Sequence, residues 1–159
     1  MKYFIRARRI ELRADADASI AWQSNKLDVV LEQDLNVEAP PCARPFYSMC
    51  ASILADIGVP SGYESEALAE IRAIESGETR YIEADGNAFI TFITPHEVWF
   101  QNLYIDIDES PVSFRQYKLA VETWVKFLAD PERKPIVVPF PDDVLDRATL
   151  PPRPPRNEE

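Results

Sequence analysis

Three runs of aromatic and β-branched residues stand close together at 80–84, 88–93 and 98–105, and they limit the fold more than any other stretch of the chain. Such side chains suit a pleated, half-buried surface. Asp85-Gly86 separates the first two runs and Thr94-Pro95-His96-Glu97 the last two, and both are turn signals. The spacing predicts a three-stranded antiparallel meander. Past Pro111, Ser113 and Gln116 stand at the spacing of a capping box, with Val112 and Tyr117 placed for a hydrophobic staple. Tyr117, Val121, Trp124, Val125 and Leu128 then recur at helical period, which predicts a helix over 113–129 with that face buried.

Signals are weaker before the meander. Residues 3–13 alternate, but the apolar parity switches between Tyr3, Ile5 and Ala7 and the pair Ile10 and Leu12, so a bulge near Arg8-Arg9 is expected. Two short strands are expected at 19–24 and 27–31, with Asn25-Lys26 as the turn between them. Pro40, Pro41 and Pro45 precede a helix whose buried face is Phe46, Met49, Cys50, Ile53, Leu54 and Ile57, ended by Gly58 and Pro60. A second helix begins at the pair Ser61 and Glu64, carries Tyr63, Ala67, Leu68, Ile71 and Ile74 on one stripe, and stops at Gly77. The fold class is therefore α+β: an antiparallel sheet that includes the meander, with helices packed against it. Residues 1–130 read as one domain. Residues 131–159 read as a proline-rich extension, since eight of the fourteen prolines fall there, and a loosely docked tail is expected.

Length and composition exclude several classes of function. At 159 residues, 46% apolar and 28% charged, the chain can bury an ordinary core without metal or disulfide support. Its first residues, Met1-Lys2-Tyr3-Phe4-Ile5-Arg6, lack the continuous apolar stretch of a signal peptide, and no run reaches the roughly 20 residues of a membrane span. A cytoplasmic protein is expected. Cys42 and Cys50 allow one bridge on paper, but in such a compartment both are expected to be reduced.

Chemistry is hard to assemble from these residues. His96 is the sole histidine, and the four glycines each have a local turn or cap to explain them, so neither a histidine triad nor a phosphate loop can be built. The remaining candidate is the run Asp106-Ile107-Asp108-Glu109, where Asp106 and Asp108 would share a strand face and hold a hard cation. Four residues leaving a strand toward water are commonly acidic for solvation alone. No enzyme, no cofactor and no metal are expected.

Charge points to a partner instead. The net charge is −10, of which residues 1–130 carry −9. Lys2, Arg6, Arg8, Arg9 and Arg13 make the first strand basic, whereas residues 64–85 hold seven acids against Arg72 and Arg80. Phosphates would be repelled by that surface, so direct nucleic-acid binding is not expected, and a basic protein would be attracted.

The stretch from Gly86-Asn87-Ala88-Phe89-Ile90-Thr91-Phe92-Ile93-Thr94-Pro95-His96-Glu97-Val98 through Asn102-Leu103-Tyr104 to Trp124 and Phe127-Leu128 resembles small bacterial immunity proteins. Those proteins belong to contact-dependent growth inhibition and related polymorphic toxin systems, and the resemblance covers about residues 78–130. It implies a cytoplasmic, non-enzymatic and acidic protein that neutralises a cognate toxin domain, commonly a nuclease, by covering its active site or an adjacent surface. It transfers no site residues. Charge and exposure therefore select the expected partner-binding set: Glu66, Glu70, Glu83, Asp85, Glu97, Asp106, Asp108 and Glu109, with Trp99 and Tyr104 as aromatic anchors. Two rival readings are a housekeeping adaptor of unknown partner and a divalent-metal enzyme built on Asp106 and Asp108.

Overall fold

The computed structural model describes residues 2–13, 21–37, 46–57, 63–107 and 110–157, with the backbone alone described at 11–13, 21–23 and 63–65. Two strands open the chain. β1 (Tyr3–Arg13) and β2 (Ala21–Leu31) pair antiparallel along their whole length, residue for residue, from Tyr3 opposite Leu31 to Arg13 opposite Ala21. No bulge interrupts β1 at Arg8-Arg9, and Asn25 and Lys26 are ladder residues opposite Arg9 and Arg8 rather than a turn. The two short strands expected after residue 19 are thus one, of which positions 19 and 20 lie outside the described residues. An eleven-residue partner supplies hydrogen bonds at alternate positions along the whole strand, and that ladder outweighs the local turn preference of Asn-Lys. The parity switch is absorbed differently. Ile5 and Ala7 face the core, while Ile10 lies half-buried on the other face with Arg6 and Arg8.

That other face carries a buried ion pair. Arg6 stands directly opposite Asp28 and binds it through two nitrogens at 2.9 and 2.8 Å, while its third reaches the Leu35 carbonyl at 2.8 Å. A fork of this kind satisfies both carboxylate oxygens away from water. The basic character expected of the first strand is therefore partly consumed within the sheet.

α1 (Phe46–Asp56) and α2 (Tyr63–Glu75) follow, with the expected stripes inward: Phe46, Met49, Cys50 and Ile53 from α1, and Ala67, Ile71 and Ile74 from α2. Gly58, Pro60, Ser61 and Cys42 lie outside the described residues. Gly77 takes φ +80° just past α2, the left-handed conformation that ends a helix and that glycine adopts without strain. The meander is β3 (Ile82–Asp85), β4 (Phe89–Ile93) and β5 (Val98–Asn102), antiparallel in that order. Thr94 closes its second turn by accepting from the backbone N–H of His96 and of Glu97 at 3.2 and 3.0 Å. β5 stops short of Ile105 because the Asn102 side chain accepts from the backbone N–H of Tyr104 and of Ile105 at 2.8 and 3.2 Å, folding the chain into a turn.

α3 (Phe114–Ala129) starts with the complete capping box, Ser113 and Gln116 each bonding the other's backbone. Its far end is capped by Arg133, whose guanidinium donates to the carbonyls of Phe127, Leu128 and Asp130. After that cap, β6 (Ile136–Phe140) pairs antiparallel with β1, so the proline-rich extension supplies the third strand of the first sheet, in the order β2-β1-β6. Pro139 is tolerated because β6 is an edge strand. α1 packs on β2 and on β4 and β5, and α3 packs on β1 and β6, so both helices lie in a core shared by the two sheets. Trp124 sits at its centre, 1% exposed, and its indole N–H reaches the Ile57 carbonyl past the end of α1 at 2.8 Å.

Candidate functional site

The two faces of the meander have different fates. Phe89, Thr91, Ile93, Val98 and Phe100 look into the shared core, where Ser52 and Thr91 share a hydrogen bond of 3.1 Å. Phe92 and Trp99 lie on the opposite face, stacked at 5.1 Å with their rings within 8° of parallel, and Tyr81 continues the stack. Among the described residues no helix covers them. The end of the chain does.

Residues 141–157 run across that face as a strap. Asp143 anchors its beginning at the head of α3, accepting from Ser113 at 2.7 Å and from the Arg115 guanidinium, which holds the Asp143 carboxyl below the usual carboxylate range. Gln116 adds bonds to the carbonyls of Pro141 and Asp143. Further on, Arg153 lies over the Trp99 ring at 4.1 Å and donates to Glu97 at 3.0 Å, while Arg147 holds the other Glu97 oxygen. Arg156 lies over Phe92 at 4.7 Å and donates to Glu83 at 2.9 Å. Where the sequence suggests a loosely docked tail, the prolines instead hold an extended path that delivers arginines to aromatic rings and carboxylates.

These contacts correct part of the expected partner surface. Glu97 is 2% exposed and Trp99 5% exposed, both enclosed by this chain's own arginines, so neither is an exposed anchor. Their patterning on a short strand looks like that of a rim, because the residues that bury them come 50 or more positions later. Glu83 is likewise held, by Tyr81, Arg156 and the Asn157 backbone N–H, and the Tyr81 hydroxyl bond is the main cause of its lowered pKa. Asp106 is exposed, and Asp108 and Glu109 lie outside the described residues.

Glu66 and Glu70 behave otherwise. One turn apart on α2, they face a cleft of about 370 Å³ between α1, α2, α3 and the free edge of β3, whose rim includes Glu83 and Asp85. Asp56 from the end of α1 also lines it, with one oxygen accepting from the N–H groups of Asn87 and Ala88 at 2.8 and 3.2 Å. A Cβ at position 86 would overlap the Asp56 carboxylate, so any larger residue there forces that side chain to move. Burial, and then the charge of Glu66, push the Glu70 carboxyl up to about 7. Among the described residues no lysine or arginine pairs with Glu66, Glu70 or Asp56. Tyr117 reaches the same cleft from α3, 4% exposed, and burial raises its pKa, with the charges of Glu70 and Asp56 adding to the effect.

The cleft has an apolar neighbour. Leu103, Tyr104 and Ile105 are 45%, 78% and 63% exposed in the turn held by Asn102, and the Tyr104 hydroxyl donates to the carbonyl of cleft residue Asn87 at 3.3 Å. Of the ten expected residues, Glu66, Glu70, Glu83, Asp85 and Tyr104 thus gather on one side of the molecule. Asp56, Tyr117, Ser52 and Thr91 were not legible as site residues, since they come from elements otherwise committed to the core. No three of the His, Cys, Asp and Glu side chains among the described residues stand close enough to share a metal ion. Among the same residues no helix is long and apolar enough to cross a membrane. Comparison of the chain with family models, with curated proteins and with solved structures finds no match in any of the three.

Proposed function

We propose that the chain is an immunity-type protein, which catalyses nothing itself and neutralises a basic, nucleic-acid-cleaving toxin domain by covering its active site or the surface beside it. The observation that carries this reading is the pairing of a cleft whose Asp56, Glu66 and Glu70 meet no lysine or arginine among the described residues and an exposed apolar turn at its edge. A nuclease surface must be positive to hold phosphates. An acidic partner is drawn to it electrostatically, and such steering raises association rates by about 10–10³-fold. Long-range charge brings the partners together, and large side chains seated in a pocket then slow their separation. Tyr104 is the natural anchor, because its backbone is already fixed by Asn102 and little freedom is lost on docking.

The test is stopped-flow binding to the C-terminal domain encoded by the neighbouring gene, at low and high salt. Association should slow as salt shortens the reach of the field to about 8 Å at physiological ionic strength. Reversing Glu66 and Glu70 together should slow it further with little change in dissociation. Absence of any binding to toxin domains of the same locus removes the reading and leaves an adaptor of another kind.

A further inference from the structure

We propose that the cleft between α1, α2 and β3 is a receptor for one guanidinium group, and that an arginine side chain of the partner fills it. The inference deepens the immunity reading and rests on it for the identity of the partner, though not for the chemistry of the pocket.

Three observations converge on that chemistry. The first is the unbalanced charge: Asp56, Glu66 and Glu70 face one volume of about 370 Å³ from two helices, with no cation paired to them among the described residues. The second is independent of charge. Tyr117 is 96% buried, lines the cleft, and its hydroxyl has no hydrogen-bond partner among the described residues. The hydroxyl itself is not sealed from solvent, so it presents a donor and an acceptor to whatever enters the cleft. The third is the edge of β3, which leaves backbone carbonyls beside the carboxylates. Acceptors so spread suit a planar group with five N–H donors better than a metal ion, whose ligands must converge on one point, or an ammonium, whose donors are compact.

The molecule already uses this chemistry elsewhere. Arg6 forks onto Asp28 inside the first sheet, and Arg153 and Arg156 of the strap bind carboxylates of the meander. Each of those sites has its arginine in the same chain. Among the described residues the cleft has none, although Arg156 stops at Glu83 on its rim.

The experiment uses the full-length protein and three short capped peptides, Gly-Arg-Gly, Gly-Lys-Gly and Gly-citrulline-Gly, followed by amide chemical shifts. Saturable shifts for the arginine peptide, centred on residues 66–70, 85–88 and 117, support the proposal. Citrulline keeps the shape without the charge, and its peptide should bind at least roughly tenfold more weakly. Equal affinity for the citrulline or the lysine peptide, or shifts confined to the strap, would overturn it. Glu70→Gln should weaken the arginine peptide by roughly tenfold. Should that variant fold poorly, Tyr117→Phe removes one hydroxyl and should still weaken binding several-fold, and unchanged affinity there also overturns the proposal. The toxin domain separates the two claims. Peptide binding without toxin binding leaves the receptor and removes the immunity reading; toxin binding that Glu70→Gln and Tyr117→Phe leave untouched does the reverse.

Discussion

Replacing Glu70 with glutamine should make the free protein more stable and its complex weaker. The carboxyl is pushed from 4.5 to about 7 by burial and by Glu66, and it shares the cleft with Asp56 of α1, Glu83 and Asp85 of β3 and Tyr117 of α3. A raised carboxyl holds its proton more tightly in the folded chain than in the unfolded one. It therefore favours folding fully below about 4.5, and that advantage is lost as pH rises through about 7. Each tenfold change in proton affinity corresponds to about 1.4 kcal/mol, which caps the loss at about 3 kcal/mol. Solvent in the open cleft screens the charges, so the measurable part is about 1–2 kcal/mol. Glutamine keeps the shape and never ionises. Urea unfolding of the two proteins should coincide near pH 4.5 and diverge by about 1–2 kcal/mol in favour of Glu70→Gln at pH 8, a rise in Tm of roughly 2–8 °C. Equal stability at pH 8, or a less stable variant, would refute the claim that Glu70 is held at a cost in the free protein. Strain of this sort at an unoccupied cleft is expected where a ligand later relieves it.

Three further outcomes test other parts of the structure. Trp124→Ala removes the largest fully buried side chain among the described residues and its bond to Ile57, and should cost about 3–5 kcal/mol in urea unfolding; a loss under about 1 kcal/mol would mean that the core is drawn wrongly. Arg153→Ala strips the cover from Trp99 and leaves the buried Glu97 carboxylate to Arg147 alone, so stability should fall by about 1–3 kcal/mol and Trp99 emission should shift to the red. Unchanged emission would show that the strap does not shield that face. Tyr104→Ala should leave stability within about 0.5 kcal/mol while speeding dissociation of the toxin complex, and an unchanged off-rate would remove Tyr104 as the anchor.

Local chemistry made the middle of this chain readable. The meander, its two turns, the capping box of α3 and the buried stripes of all three helices each depend on residues within four or five positions of one another, and they formed close to what their spacing predicts, with β5 ending at Asn102 and Leu54, Leu68 and Val125 half-buried. Glu66 and Glu70 stood out on the same basis, as acids on the solvent side of α2. What the residues by themselves determined was therefore the α+β class, the inward faces and the acidic side of α2.

Partnership over long separations was decided only in the folded molecule. Arg8-Arg9 and Asn25-Lys26 look like a bulge and a turn until two eleven-residue strands meet and pair in register along their whole length. Ile136–Phe140 lies in a proline-rich stretch and becomes a strand only when β1 offers it an edge. Glu97 and Trp99 have the pattern of a solvent-facing rim, yet Arg147 and Arg153 enclose them from about fifty residues away. The same holds in reverse for Glu70. Its acidity and position can be read from α2 alone, but its raised pKa arises because α1, β3 and α3 partly enclose it, Glu66 stands beside it and those elements supply no cation. A side chain's chemical type is local, whereas its dielectric surroundings and its partners depend on which distant segments pack beside it, and that is settled by the closing of the core.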